Sequence, residues 1–133
     1  MDLDAAGWVG ATVRVALIVG EADTAQAVGS GDVPVLGTPR VLALAEAATV
    51  AVTAPRLPSG ATTVGTRVEL THTAATPVGR TVWAQATLAK VDGRRLTFEV
   101  AVRDGSTVVA EARIERVLVD RQKFLAKAEK AGS

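Results

Sequence analysis

The chain has 133 residues, 48% of them hydrophobic, and a formal net charge of +1. That length suits one domain around one core, and the balanced charge leaves no electrostatic footprint for nucleic acid. There is no cysteine, which excludes disulfides, thiolate metal ligands and a cysteine nucleophile. With a single histidine and no cysteine, no zinc site is expected, and no glycine-rich loop runs from a strand into a helix to cradle a nucleotide phosphate. The opening MDLDAAGWVG lacks the basic start and apolar run of a signal peptide. The longest apolar stretch, residues 41–52, is too short to span a membrane and is broken by Glu46. These features predict a cytoplasmic protein with no metal or redox cofactor.

The first predicted strand covers residues 12–19, where Val13, Val15, Leu17 and Val19 alternate with other residues. A loop of weak periodicity follows over residues 21–37. A helix is predicted over residues 39–54, with Thr38 as its N-cap and Pro39 as its first residue. Pro55 ends it, and Pro58-Ser59-Gly60 turns the chain. This helix is apolar nearly all round and rich in alanine, the pattern of a buried helix. Strands are then predicted over residues 62–73, 80–91, 94–103 and 107–119. Asp92-Gly93 and Asp104-Gly105 join the last three into an antiparallel meander, because glycine accepts the positive φ of tight turns. The last strand alternates through Ala110, Ala112 and Ile114, and a bulge is expected at Glu115-Arg116. A short, mostly basic helix closes the chain as a tail over residues 120–133, balanced by a short extension over residues 1–8. One apolar helix followed by four antiparallel strands calls for a curved sheet wrapped around that helix. Such an α+β domain over residues 1–133 leaves one side of the helix bare, so two copies are expected to pair.

Three residues stand out chemically. Glu46 is the only acid between Val33 and Thr66, in the middle of the apolar helix. A carboxylate there either lies on a solvated or interface stripe, or is held for use. His72, the only histidine, shares the parity of Val64, Thr66, Val68 and Leu70, and so is assigned to the inner face of its strand. It is either a hydrogen-bonded core histidine or a general base working beside the carboxylate. Thr38 is an ordinary helix start, but a helix N-terminus also gathers free N–H groups and positive potential that suit a developing oxyanion. Thr38 and Glu46 lie about 12 Å apart along one helix. They therefore act through His72 and the substrate between them, or across two chains.

The block at residues 70–79, LTHTAATPVG, resembles one found in fluoroacetyl-CoA thioesterase and its hotdog-fold relatives. So do VDGRRL at 91–96 and RIERVLVDRQKFLAK at 113–127. The resemblance spans roughly residues 33–127 and runs without a gap from Thr38 to Gly79. It implies the hotdog fold, in which the curved sheet wraps one long helix, and hydrolysis of an acyl-CoA by a threonine, glutamate and histidine set matching Thr38, Glu46 and His72. It also implies a site-lining glycine at Gly65. Two departures stand out. The loop GSGDVPVLG before Thr38 has no aromatic residue where the family's fluoroacetate-specific member carries a phenylalanine. Pro39 replaces a glycine and has no N–H to offer an oxyanion, leaving Gly37, Thr38 and Arg40 as donors.

The expected activity is hydrolysis of a short or medium acyl-CoA, with CoA entering only as the substrate's carrier. Gly37, Leu36, Leu42 and Gly65 are the candidate substrate-binding residues, with Val33 and Val35 adding apolar surface. Arg40, Arg67, Arg80 and Arg116 are candidates for holding CoA. A non-catalytic acyl-CoA-binding or regulatory module, and a ligand-free dimeric scaffold, are the competing expectations. Trp83 falls on the outward phase of its strand and is a candidate contact in a dimer or tetramer.

Overall fold

The computed structural model describes residues 4–131. The expected extension at 1–8 and tail at 120–133 therefore lie partly outside the described residues. Within the described part, Ala5–Trp8 form a 3-10 turn whose Ala5 is buried in the core, so this segment is more than an overhang.

Strand β1 spans Thr12–Ile18. The loop expected over 21–37 holds a 3-10 turn, Glu21–Asp23, and a single helical turn, α1 (Ala25–Val28). Short local bonds build both. Thr24 caps α1 through its hydroxyl, which accepts from the Ala27 N–H, and Gly29 ends it at a φ of 78°. The long helix α2 runs over Thr38–Thr53. Its N-cap is Gly37, not Thr38 as expected: Gly37 is extended, and its carbonyl accepts from the N–H groups of Arg40 and Val41. The Thr38 hydroxyl is engaged elsewhere, so it makes no cap.

Four strands follow: β2 (Ala61–His72), β3 (Thr81–Asp92), β4 (Arg95–Asp104) and β5 (Thr107–Asp120). They form one antiparallel sheet in the order β1-β3-β4-β5-β2, with β3, β4 and β5 as the expected meander. A last helix, α3 (Arg121–Ala131), buries no side chain.

Each of the pairings β2–β5, β3–β4 and β4–β5 slips once, so one residue on one strand has no opposite number. Such bulges bend a strand and raise its twist, which lets the sheet curl around α2. The bulge expected at Glu115-Arg116 lies instead on the partner strand. Gly65 pairs with Arg116 and Arg67 with Glu115, leaving Thr66 as the extra residue, its hydroxyl donating to the Glu115 carbonyl. Alternation on β5 is thus unbroken from Ala110 through Ala112, Ile114 and Arg116 to Leu118, all buried. On β2 the extra residue reverses parity. Thr63 and Gly65 face inward before it, and Val68, Leu70 and His72 after it, opposite the inner residues Ile114, Ala112 and Ala110. Val64 and Thr66 do not share the His72 face.

The core lies between α2 and the concave side of the sheet. Val41, Leu44, Ala45, Ala48 and Val52 of α2 meet inner residues such as Val82, Leu88, Leu96, Phe98, Val102 and Ile114. Small residues on both sides (Ala45 and Ala48 against Ala84, Ala86 and Ala112) let helix and sheet approach closely. The opposite stripe of α2, with Ala43, Ala47 and Val50, is exposed. On the convex face Trp83 is exposed, with the Arg14 guanidinium 4.7 Å from its ring centroid.

Phe98 is the largest fully buried side chain. Phe98→Ala is expected to lower unfolding free energy by about 3–5 kcal/mol, through lost burial and the cavity left behind. A urea titration comparing midpoints at equal slope checks this.

Candidate functional site

The sequence-derived site residues fall into two clusters. In the first, the α2 N-terminus meets the end of β2: Thr38 Oγ1 lies 2.8 Å from His72 Nδ1. Helix phase at the first residue and strand phase beyond the Thr66 bulge aim the two side chains at each other. His72 Nε2 is buried and has no hydrogen-bond partner among the described residues.

A cleft of about 290 Å³ opens beside this pair, between α1, the loop Ser30–Leu36 and the segment following His72. Val33, Val35, Leu36 and Gly37 are among its walls. Leu36 is almost fully buried, its N–H bonded to the Thr76 carbonyl, and forms a fixed apolar wall. At Gly37 a Cβ would meet the Ala25 backbone at 3.1 Å, so only glycine allows α1 to sit this close to the start of α2. The Gly37 N–H is bonded to the Asp23 carbonyl, and the Arg40 N–H to the Gly37 carbonyl. Of the three expected oxyanion donors, only the Thr38 N–H is left without an acceptor among the described residues. The Arg40 side chain is tied to Asp23 at 2.9 Å, and Asp23 also accepts from the Gly20 N–H. Arg40 thus braces the cleft wall.

The second cluster sits mid-helix. Glu46 Oε2 lies 3.3 Å from Arg116 Nη1. Arg116 is buried, and its other two nitrogens are bonded as well: Nε donates to the Thr63 hydroxyl and Nη2 to the Thr63 carbonyl, each at 3.0 Å. Burial pulls the Arg116 pKa below its ordinary value, opposed by the attraction of Glu46. Gly65 packs over this pair. A Cβ there would stand 2.8 Å from Glu46 Oε2 and 3.4 Å from Arg116 Nη1. The Glu46 side chain is 36% exposed, so one carboxylate is held at the protein surface by a buried cation. Leu42, one turn earlier, is half-buried on the same side of the helix.

Arg116 was expected among surface cations for CoA; it is an inner residue instead. Unbroken alternation from Ala110 to Leu118 was the signal that identifies it, since an inward cation demands an inward acid and Glu46 is the acid of α2. Arg67 and Arg80 carry carboxylate partners of their own, Glu69 at 2.7 Å and Asp104 at 3.0 Å.

The structure therefore joins Thr38 to His72, and Glu46 to Gly65 and Arg116. It does not join Glu46 to His72: Thr38 and Glu46 are about 12 Å apart along the helix, and Gly65 and His72 roughly 20 Å apart along the strand.

Comparison with known proteins bears on the same residues. The fluoroacetyl-CoA-specific thioesterase family model matches residues 19–122. The fluoroacetyl-CoA thioesterase of Streptantibioticus cattleyicolor is 41% identical over 93 residues, covering 70% of this chain and 67% of that protein. The solved structure of the fluoroacetyl-CoA thioesterase FlK superposes with a TM-score of 0.85 at 33% identity, covering 92% of this chain and 95% of that one. A point variant of FlK in complex with acetyl-CoA gives a TM-score of 0.88 at 32% identity, covering 94% and 98%. A hot-dog-like protein from Thermanaerovibrio acidaminovorans, 23% identical, shares the fold at a TM-score of 0.90 over 98% of both chains. With the curved sheet, the enclosed helix and a match running through both clusters, this chain belongs to the fluoroacetyl-CoA-specific thioesterase family of hotdog-fold thioester hydrolases.

Proposed function

We propose that the protein hydrolyses a short acyl-CoA to the free acid and CoA, working as a cytoplasmic homodimer whose sites each draw on two chains. The observation that carries the reading is the 2.8 Å contact between Thr38 Oγ1 and His72 Nδ1 beside a cleft, in a chain of this family. His72 acts as general base on the Thr38 hydroxyl, whose oxygen adds to the thioester carbonyl. The Thr38 N–H faces the developing oxyanion. The C–S bond then breaks, and the imidazolium returns the proton to the CoA thiolate. Water releases the acid from Thr38 in a second step, with Glu46 orienting that water. Nothing in this sequence of steps needs a metal or redox group.

The separation of the two clusters supports the dimer. Within one chain Glu46 lies too far from Thr38 and His72 to share a substrate carbonyl with them, whereas the bare stripe of α2 and the outer edge of β2 are open to a second copy. Ala43 and Ala47 allow close approach, Val50 and Val68 add exposed apolar surface, and an unpaired strand edge favours pairing. The loop of Val33 and Val35, lacking an aromatic residue, favours an acyl group other than fluoroacetyl. A binding module without turnover is the competing reading, favoured by the missing N–H of Pro39.

Thiol release measured over a panel of acyl-CoAs tests the activity: His72→Ala is expected to lose about 10²-fold or more in turnover. Undiminished release by that variant would remove His72 from the chemistry, and CoA binding without release by the native protein would establish the binding module. Gly65→Ala pushes the flexible end of Glu46 off Arg116 without touching the backbone core. Turnover is expected to fall about tenfold or more, and the thermal midpoint to fall with it because the buried Arg116 loses its counter-charge; undiminished turnover would remove the Glu46 position from the chemistry. Mixing His72→Ala and Glu46→Ala subunits tests the shared site. Two-chain sites restore activity above that of either variant alone, and single-chain sites restore none.

A further inference from the structure

The start of α2 carries a charge of the disfavoured sign. A helix N-terminus is the positive end of the peptide dipole and favours acids. Yet the first turn of α2 holds no acidic residue, and its one charged side chain is Arg40. Asp23, 17 positions earlier, offsets that cost: its Oδ1 accepts from Arg40 Nε at 2.9 Å. The two side chains are only 18% and 32% exposed, so the pair is shielded from salt better than a surface pair.

Asp23 joins two bodies. Its other carboxylate oxygen accepts from the Gly20 N–H at 2.8 Å and closes the 3-10 turn Glu21–Asp23. Its carbonyl accepts from the Gly37 N–H, immediately before Thr38. The stretch between is knitted to itself. The Ala25 and Gln26 N–H groups bond the Val35 and Val33 carbonyls, and Thr24 bridges to Leu36. Residues 20–36 therefore hold together as one unit, which supplies a wall of the cleft beside Thr38 and His72. Among the described residues, the Asp23–Arg40 contact is the one side-chain hydrogen bond between this unit and α2.

We propose that Asp23 and Arg40 are a positioning pair for the hydrolysis, setting the distance between the wall that seats the acyl group and the Thr38 groups that meet its carbonyl. The proposal rests on the hydrolase reading above and adds to it two residues that touch no substrate. The Thr38 hydroxyl and N–H belong to the first residue of α2 and move with it. The acyl group moves with the wall. One backbone bond, from the Gly37 N–H, leaves the wall free to pivot about that point. A second, charge-assisted bond three residues further along the helix removes the freedom. A pivot of about 1 Å keeps most apolar contacts with the substrate but takes its carbonyl out of line for attack.

Thiol release over a range of acyl-CoA concentrations, with the thermal midpoint of each protein, tests the pair. The variants are Arg40→Met, Asp23→Asn, the two combined, and Arg40→Lys. Arg40→Met removes a cation that the helix start disfavours together with a partly exposed ion pair. These effects are of similar size and opposite sign, so the midpoint is not expected to move. The expected loss is about tenfold or more in kcat with KM unchanged, the mark of an effect confined to the transition state. Asp23→Asn keeps an oxygen for the Gly20 N–H but loses the charge, and is expected to lower kcat less. In the Arg40→Met background it is expected to add nothing, since the two residues act as a unit. Arg40→Lys is expected to recover most of the native rate.

A rise in kcat on Asp23→Asn would overturn the proposal, because the Arg40 charge then acts on the oxyanion directly. So would losses that multiply in the combined variant, a change in KM alone, or a loss that tracks the midpoint and vanishes on cooling. Native turnover that Arg40→Met leaves intact removes the pair and keeps the hydrolase. No thiol release by the native chain from any acyl-CoA is the failure of the hydrolase reading itself, and takes the positioning role with it.

Discussion

The constraint on which the rest depends is that α2 has almost no polar side. A helix of this kind is stable in water only when enclosed, and the enclosing element is one five-stranded sheet. Enclosure forces curvature, and curvature is built from the slipped pairings of β2, β3 and β5. Those slips decide which side chains look inward. The chemistry of the site follows from how a sheet bends, because the bulge at Thr66 brings both Gly65 and His72 to the concave side although seven positions separate them.

The buried cation is the second determinant. Arg116 is surrounded by core residues, yet each of its three guanidinium nitrogens has a partner, Thr63 twice and Glu46 once. A buried ion pair is weak grounds for stability, since desolvation offsets most of the attraction, but breaking one partner leaves an uncompensated charge. Here the pair fixes the position of a carboxylate that an exposed helix face would otherwise leave free to rotate. Gly65 belongs to the same arrangement, for its missing side chain is the space the carboxylate occupies.

Much of this was legible in the sequence, and the misses share a cause. Five strands and the long helix were readable because alternation, proline and Asp-Gly turns act locally, and their ends fell within a residue or two. The pairing of Thr38 with His72 was approached through resemblance and helix geometry. What failed was parity across an insertion. One extra residue at Thr66 misassigned Val64 and Thr66, and the same bulge, placed on β5 instead of β2, hid Arg116 as a surface charge. Thr38 was read as a cap because threonine favours that position, a rule that is blind to an imidazole arriving from a strand 34 residues later. The turns within residues 21–37 depend on Thr24 and Asp23 bonding their own neighbours, which leaves no periodic mark.

The brace at the start of α2 separates two kinds of change. Asp23 links Gly20, Gly37 and Arg40, so the part of the cleft nearest Thr38 is anchored to the helix and shares its rigidity. The segment from Ser30 to Val33 lies beyond that anchor, exposed and bordering the same cleft. Its ends are bonded to α1, the Ser30 N–H to the Ala25 carbonyl and the Gln26 N–H to the Val33 carbonyl, so the side chains between them can exchange size while that backbone is kept. A scaffold arranged this way can vary one wall of its cleft by drift in a short loop while Thr38 and His72 stay where the fold holds them.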